Sequence, residues 1–270
     1  MTTTHQPRLS PEQIAQYNTQ GYTLYRNPVF SPAKFEALRS HFETLVANLP
    51  PGFRPENLDV PHFADVKLFD WLLDDEVLDL VEGVIGPDIA LWSSHFICKP
   101  RGDGKRVPWH EDSSYWRGSL DPIRVCTVWL AIDPSTRVNG CMKVIPGTQT
   151  GGFSEYENVA DPEKHVFPTE IKRHQFDENK AVLIELQPNE ASLHDGRLMH
   201  ASEPNTSNIR RCGYTMRYMS TAVKFNQENF SQHKIYLARG RDLAGNSYGD
   251  PTKLEMDLAY FRSKNNRGGH

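Results

Sequence analysis

The sequence predicts an α+β protein, mainly β, with an antiparallel sandwich or barrel and helices outside it. Apolar residues recur at helical spacing through the first third of the chain, and from Ile89 onward they occur in short runs of β-forming residues. Proline, glycine and asparagine separate these runs, and no helical pattern lies between them. We therefore expect one domain over residues 1–270, with a helical part at about 8–86, a β core at about 87–222 and a C-terminal tail at 223–270.

Three helical regions are predicted in the N-terminal part. In Ser10-Pro11-Glu12-Gln13, serine and glutamine can form a capping box and proline suits the first turn. This helix should end before Gly21. A second helix begins at Ser31-Pro32, carries an apolar stripe over residues 35–45 and stops at a Pro-Pro-Gly sequence. A third helical region covers residues 68–84.

Six runs of β-forming residues are predicted to be strands. They are residues 22–25, 89–98, 124–132, 142–145, 181–186 and 209–219. The tail from Lys224 onward has no clean period, and we expect it to wrap the mouth of the β core or to fray. Residues 265–270 are expected to be disordered.

Composition excludes several classes of protein. The chain is 38% hydrophobic and 24% charged, which is typical of globular proteins, and its net charge of -4 gives no basic footprint for nucleic acid. No run approaches the roughly 18 apolar residues of a membrane span, and residues 1–7 lack an apolar signal segment. The four cysteines form no C-x-x-C pair, which argues against structural zinc and favours buried thiols in a reducing compartment. We expect a cytoplasmic protein that binds neither nucleic acid nor membranes.

His110 and Asp112 are the first candidates for a metal site. They are two residues apart, so on a strand both side chains point to the same face. With His200 as a third ligand, two imidazoles and one carboxylate would suit iron(II) and oxygen chemistry. The alternative is an ordinary hydrogen-bonded pair on a sheet. His194, six residues before His200, competes as the third ligand.

Arg211 follows His200 by eleven residues, with a Pro-Asn turn between them. This spacing predicts two adjacent antiparallel strands that present both side chains to one cavity. An arginine fork matches a carboxylate in two parallel hydrogen bonds, and Ser202 could add its hydroxyl. Arg210 should face the opposite way, because adjacent strand residues alternate. The alternative is a hairpin with a surface histidine and a salt-bridged arginine.

These residues resemble the phytanoyl-CoA dioxygenase family, a branch of the iron(II)/2-oxoglutarate oxygenases. The matching motifs are His110-Glu111-Asp112, the run His200-x-Ser202-x-x-Asn205-x-Ser207-x-x-x-Arg211, the tryptophan strand 127–133, Asn139-Gly140 and Pro146-Gly147-Thr148. The resemblance spans nearly the whole chain. Gln149 replaces a frequent histidine, Asn189-Glu190 replaces the usual Gly-Asp turn, and Glu203-Pro204 is a further variation. None of these departures falls on a candidate ligand.

The resemblance implies a double-stranded β-helix, a jelly roll of the cupin type, with iron(II) at its open end. It implies that Arg211 grips the far carboxylate of 2-oxoglutarate, with Trp129 beside the co-substrate and Thr127 on the same face. The implied reaction consumes O2, hydroxylates an unactivated C–H bond of a small molecule and releases succinate and CO2, with ascorbate in support. Asp112 favours hydroxylation over halogenation.

Other outcomes remain open at this point. The same site could serve desaturation, cyclisation or epoxidation, and a cupin-like metal isomerase or binding protein without oxygenase activity is the alternative from another class.

The loop that follows the ligands supplies candidates for substrate binding. It carries Tyr115, Trp116 and Arg117, and Arg197 lies just before His200. Together with Lys99, which could reach an anionic group, the two arginines favour an anionic substrate. Each of these cations could equally be a solvated surface residue. The chain is expected to be a monomer or a homodimer.

Overall fold

The computed structural model describes residues 8–256, and the predicted disordered segment 265–270 lies outside the described residues. The helices are α1 (Pro11–Gln20), α2 (Pro32–Ala47), α3 (Phe69–Leu72) and α4 (Asp75–Ile85). The predicted capping box is present at the start of α1, where the Ser10 N–H donates to Gln13 Oε1 at 2.8 Å. Gly21 ends α1 in the left-handed conformation at φ 80°. No described helix combines the length and apolar character needed to cross a membrane.

The strands confirm all six predicted runs and add others. They are β1 (Tyr22–Tyr25), β2 (Leu58–Asp59), β3 (Ile89–Lys99), β4 (Val107–His110), β5 (Leu120–Asp121), β6 (Val125–Ala131), β7 (Met142–Val144), β8 (Tyr156–Asn158), β9 (Thr169–Ile171), β10 (Val182–Ile184), β11 (Ala191–Asp195), β12 (His200–Ser202), β13 (Arg211–Ser220), β14 (Lys224–Phe225) and β15 (Tyr236–Arg239).

Eleven of these strands form a sandwich of two antiparallel sheets, and the other four form the two-stranded pairs β5-β14 and β8-β9. The large sheet has the order β1-β11-β6-β13-β3-β15, with β2 also paired to β3, and the small sheet has the order β10-β7-β12-β4. Side chains of both sheets share one apolar cluster, in which Trp129 and Ala131 meet Met142 and Val144. Over the described residues both sheets are open, so the sandwich alternative is correct and the closed barrel is wrong.

The large sheet separates two environments by strand alternation. Its outer face, including Val128, Leu130 and Tyr214, packs in the main core with residues of the helices. Its inner face carries Trp129 and Ala131 together with polar side chains such as Arg211 and Arg217. Residues two apart on a strand share a face, so these side chains point toward the small sheet. Burying apolar side chains on the outer face is the main stabilising contribution, roughly 1.5–3 kcal/mol for each large one.

The described part of the C-terminal tail meets one of the two alternatives predicted for it. Rather than fraying, it returns to the large sheet as β15, which pairs with β3 at the edge. Residues 229–233 line the main cavity, the cavity that is also lined by His110 and His200. This segment meets the expectation that the tail wraps the mouth of the core. The lack of a sequence period is explained by the brevity of β14 and β15, which have two and four residues.

Candidate metal and co-substrate site

His110, Asp112 and His200 form a cluster in which one ligand atom from each residue lies within 4.8 Å of the others. His110 ends β4 and His200 begins β12, and the two residues face each other in the antiparallel register. Asp112 Oδ1 lies 3.7 Å from His110 Nε2 and 3.9 Å from His200 Nε2. This spacing suits one metal ion held by two imidazoles and a carboxylate.

Asp112 does not lie on the strand, so the prediction that both ligands share a strand is wrong for it. β4 ends at His110, and Asp112 opens a short 3-10 turn. The intervening Glu111 keeps extended torsion angles of φ -120° and ψ 133°, so the side chains still alternate. Glu111 faces away from the two ligands, and its Oε1 accepts the Ser154 N–H at 2.8 Å.

Backbone carbonyls orient both imidazoles. His110 Nδ1 lies 2.9 Å from the Pro108 carbonyl, and His200 Nδ1 lies 2.8 Å from the Leu198 carbonyl. Because a carbonyl only accepts, each Nδ1 carries the proton and each Nε2 keeps its lone pair for a metal. Burial, followed by the neighbouring His110, lowers the pKa of His200 well below its ordinary value, which keeps that imidazole neutral.

Arg217 holds the second carboxylate oxygen of Asp112. Its Nε donates to Asp112 Oδ2 at 3.1 Å, which leaves Oδ1 facing the two histidines. Burial opposes ionisation of Asp112, but Arg217 and both histidines outweigh it and hold the pKa of the carboxyl well below its usual range. Sequence reasoning missed Arg217. The signal was available, since Arg217 shares a strand face with Arg211 at an even spacing of six.

Arg211 is buried, with 1% of its surface exposed, and it lines the same cavity as the cluster. Its Nε and Nη2 donate to the Gly140 carbonyl at 3.1 and 3.0 Å, and Nη2 donates to Ser202 Oγ at 3.3 Å. Within residues 8–256 it forms no ion pair with a carboxylate. Burial lowers its pKa to about 10, so a guanidinium without a counter-ion is held inside the protein.

The predicted pairing of the His200 and Arg211 strands is wrong. β12 pairs with β4 and β7, whereas β13 pairs with β3 and β6, so the two residues belong to opposite sheets. Arg211 is also the first residue of β13. The two side chains still meet one cavity, because they face each other across the sandwich. Ser202, whose hydroxyl was predicted to bind the same carboxylate as Arg211, contacts Arg211 itself across this gap.

Arg210 points to the outer surface, as alternation predicts. It forms a fork with Asp133 at 2.7 and 2.9 Å and also pairs with Glu43. Arg211 is therefore the arginine that enters the cavity. His194 lies beside the cluster, with its ring centre 5.1 Å from that of His200, but it is not one of the three clustered ligands.

Trp129 lines the cavity beside Arg211, whose guanidinium carbon lies 5.3 Å from the ring centre. The indole lies against Gly213, where an added Cβ would fall 2.1 Å from Trp129 Cζ2. Gly213, which sequence reasoning also missed, is therefore what allows the indole this close approach. Thr127 is buried next to His194 in the strand register, and it is not among the residues lining the cavity.

Lys99 lies beside Arg211 on the neighbouring strand and is not among the residues that line the cavity. The two residues are register partners on β3 and β13, and Lys99 Nζ donates to the carbonyls of Ser202 and Glu203. Burial, followed by the neighbouring Arg211, lowers the pKa of Lys99 well below its ordinary value. A role in fixing the loop after β12 is what these contacts support.

The main cavity has a volume of about 610 Å³ and is lined by all three residues of the cluster. Of the predicted substrate residues, Tyr115 and Trp116 line it. Arg117 and Arg197 are not among its lining residues and border a second cavity instead. The structure thus brings two of the four together with the cluster.

The departures from the family pattern lie away from the cluster. Asn189 adopts the left-handed conformation at φ 70°, which asparagine tolerates in place of glycine. Its side chain binds the backbone N–H and carbonyl of Phe30. Gln149 packs against Gly21 beside α1. Glu203 pairs with Lys143 on the small sheet.

Comparison with known proteins agrees with this geometry. A sequence model of the phytanoyl-CoA dioxygenase (PhyH) family matches residues 17–213. A phytanoyl-CoA dioxygenase domain-containing protein 1 homolog of Dictyostelium discoideum is 27% identical over 176 residues. The match covers 63% of this chain and 62% of that protein, which is less than two thirds of its length. A probable phytanoyl-CoA dioxygenase of Caenorhabditis elegans is 27% identical over 300 residues, covering 93% and 90%.

A solved structure gives the same result for the fold. The non-heme monooxygenase ThoJ in its apo form superposes with a TM-score of 0.72 at 21% identity, covering 95% of this chain and 98% of that one. At this identity the likeness is one of fold, and it confirms the predicted cupin-like β class.

Proposed function

The chain belongs to the phytanoyl-CoA dioxygenase family of iron(II)- and 2-oxoglutarate-dependent oxygenases, and on this premise we propose that it hydroxylates an unactivated C–H bond of a small molecule. His110, Asp112 and His200 hold the iron, and Arg211 binds the far carboxylate of 2-oxoglutarate. When bound, iron and 2-oxoglutarate would supply the oxidising chemistry: 2-oxoglutarate would lose CO2 and become succinate with one atom of O2, and the other atom would enter the hydroxylated product.

The chain's own residues hold and orient these groups. The Nδ1 contacts of the two histidines and the Arg217 contact of Asp112 fix the three ligand atoms before a metal arrives. Ser202 holds one arm of Arg211 in place. All three ligands are at most 8% exposed, so the site excludes bulk water. Positioning of this kind is the protein's contribution to cofactor chemistry.

The observation that carries the proposal is the buried Arg211 in the same cavity as the ligand cluster. A buried guanidinium without a carboxylate is costly, because a lone charge loses its hydration. A bound dicarboxylate removes that cost. A cupin-like isomerase or binding protein needs the metal ligands but has no use for this arginine, which disfavours that alternative.

The expectation of an anionic substrate has lost its basis. It depended on Lys99, Arg117 and Arg197, and none of these lines the cavity that contains the cluster. The small-molecule substrate itself remains part of the proposal.

The test is succinate formation from 2-oxoglutarate by the full chain with iron(II) and ascorbate. We expect iron-dependent turnover, and loss of bound iron in His110→Ala, Asp112→Ala and His200→Ala. His194→Ala is the matched control, since His194 is a buried histidine beside the cluster. It should retain iron. Failure of the wild-type chain to bind 2-oxoglutarate in the presence of iron would refute the proposal, as would iron loss in the control alone.

Product mass separates hydroxylation from desaturation or cyclisation once a substrate is known, and NMR of the product separates hydroxylation from epoxidation, which also adds one oxygen. With ¹⁸O2, hydroxylation gives a product that contains one labelled oxygen and is 18 mass units heavier than the substrate, which follows from the atoms transferred. A product two hydrogens lighter than the substrate would instead indicate desaturation or ring closure.

A further inference from the structure

Five carboxylate or guanidinium side chains among the described residues line the main cavity. They are Glu56, Asp59, Asp112, Arg211 and Arg217. Asp112 Oδ2 and Arg217 Nε pair with each other at 3.1 Å. Under the proposed function, Arg211 takes the far carboxylate of 2-oxoglutarate as its counter-charge. These three side chains therefore leave no charge for a substrate to neutralise.

The two remaining carboxylates also have partners or water. Glu56 Oε1 accepts from Arg54 Nε at 2.6 Å, and Lys99 interacts electrostatically with Glu56 as well. Asp59 Oδ1 lies 3.4 Å from His95 Nδ1, and the Asp59 side chain is 29% exposed, so water reaches it. A charged group on a substrate would lose its hydration in this cavity without gaining a counter-charge.

Aromatic rings line the cavity next to the ligand cluster. The ring centres of Phe167 and Tyr115 lie 4.9 and 6.2 Å from that of His110. Trp116 lies next to Arg217, whose Cζ is 5.8 Å from the Trp116 ring centre. A substrate carbon that reacts must come close to the metal, so the group that carries it packs against these rings. Aromatic side chains offer large apolar surfaces for such packing.

Phe230 belongs to the tail segment between β14 and β15, which forms another part of the cavity wall. On one side of it, Asn229 Nδ2 donates to the Gly118 carbonyl at 2.6 Å. On the other side, His233 Nε2 donates to the Trp92 carbonyl at 2.7 Å. These contacts hold the segment in place while Phe230 itself stays 36% exposed. Its ring therefore has apolar surface left to cover a ligand.

We propose that the substrate enters the cavity as an uncharged apolar group, and that Phe230 packs against this group at its solvent-exposed edge. This inference deepens the proposed function and rests on it. The paired charges remove any gain from a charged group, whereas the aromatic rings stabilise an apolar one by burying it. Phe230 is then a specificity-determining residue.

The test compares three probes with a phenylalkyl body on the full chain, with iron(II) and 2-oxoglutarate under anaerobic conditions. They are the neutral 2-phenylethanol, the cation of 2-phenylethylamine and the anion 3-phenylpropionate. Tryptophan fluorescence measures their binding, since Trp92, Trp116 and Trp129 line the cavity. We expect the alcohol to bind at least about tenfold more tightly than either ion, because each ion must be desolvated without gaining a counter-charge.

Phe230→Ala should weaken binding of the alcohol about two- to tenfold, which is the contribution of one aromatic contact. Phe153→Ala is the matched control, because Phe153 is also exposed, at 43%, and lines the second cavity instead. It should leave the affinity for the alcohol unchanged.

Four outcomes would overturn the inference. They are equal binding of the three probes, tighter binding of either ion, no binding of the alcohol at millimolar concentration, and the same affinity for the alcohol in Phe230→Ala and Phe153→Ala. The wild-type affinity for 2-oxoglutarate is measured separately, and its absence would overturn the proposed function instead.

Discussion

The small sheet supplies the two imidazoles of the ligand cluster to the cavity, whereas the large sheet supplies two arginines. His110 and His200 face each other on β4 and β12, each held by a backbone carbonyl two residues before it. Arg211 and Arg217 lie six residues apart on one face of β13. The three clustered ligands thus lie on the small sheet and in the turn after β4, whereas the two arginines beside them lie on the large sheet, so packing of the two sheets brings the ligands and the arginines together.

The two arginines of the large sheet also differ from each other. Arg217 has a carboxylate partner within the chain, Asp112, at 3.1 Å. Arg211 has carbonyl and hydroxyl partners, and within residues 8–256 no carboxylate. Since a buried cation needs a counter-charge, the first arginine is satisfied by folding and the second by binding. Substitutions at the two positions should therefore fail in different ways.

The largest effect is expected from Arg211→Gln. Removing one partner of a buried charge pair costs on the order of 3 kcal/mol, so the dissociation constant of 2-oxoglutarate should rise roughly a hundredfold. Iron should stay bound. Arg210→Gln is the matched neighbour, because Arg210 pairs with Asp133 outside the cavity and should not affect co-substrate affinity. Calorimetric titration of the iron-loaded proteins measures both. Equal weakening in the two variants would contradict the division described above.

Arg217→Gln should instead weaken the metal. Without the donor to Oδ2, Asp112 is free to rotate and loses the interaction that favours its ionised form. Loss of such an outer contact typically costs 10- to 100-fold in metal affinity. Competition with a chelator, monitored by bound iron, measures this. If iron affinity stays the same while 2-oxoglutarate binding falls, Arg217 acts on the co-substrate and the contrast between the arginines is wrong.

Sequence reasoning could pair His110 with Asp112 because the two residues are close in the sequence. The separation of His110 and Asp112 by two residues survives the end of the strand, since Glu111 stays extended. The approach of His200 and Arg211 was predicted for the wrong reason. Spacing along the chain implied paired strands, whereas the structure separates them onto two sheets. The number of residues between His200 and Arg211 cannot distinguish a hairpin within one sheet from a crossover between two sheets, because both arrangements bring the side chains to the same cavity.

The position of Glu56 and Asp59 in the wall of the main cavity could not be predicted from the sequence for a related reason. The two residues occur in a segment for which no strand is predicted, and β2 has only two residues. Its pairing with β3 joins residues more than thirty positions apart, and no periodicity reveals such a contact. The prediction for Arg117 and Arg197 was wrong for the opposite reason. Both residues are close in sequence to the ligands, yet they line the second cavity.

Gly213→Ala tests how tightly the large sheet is fitted around the co-substrate region. The new Cβ would lie 2.1 Å from Trp129 Cζ2, so the indole must shift. Overpacking of this kind costs about 1–3 kcal/mol, which lowers the melting temperature by several degrees in a chain of this size. The displaced Trp129 should also weaken 2-oxoglutarate binding, because Arg211 lies over its ring. An unchanged melting temperature would show that the indole has room to move.

The smallest effect is expected from Ser202→Ala. This substitution removes the one hydrogen bond by which Ser202 links the small sheet to Arg211 on the large sheet. Ser202 on β12 accepts from Arg211 Nη2 at 3.3 Å, a long contact, while Gly140 holds the same guanidinium twice. A single hydrogen bond of this kind contributes about 0.5–1.5 kcal/mol, so 2-oxoglutarate affinity should fall about two- to tenfold. A decrease as large as that of Arg211→Gln would mean that Ser202 binds the co-substrate directly, and that the small sheet supplies more to this end of the cavity than its imidazoles.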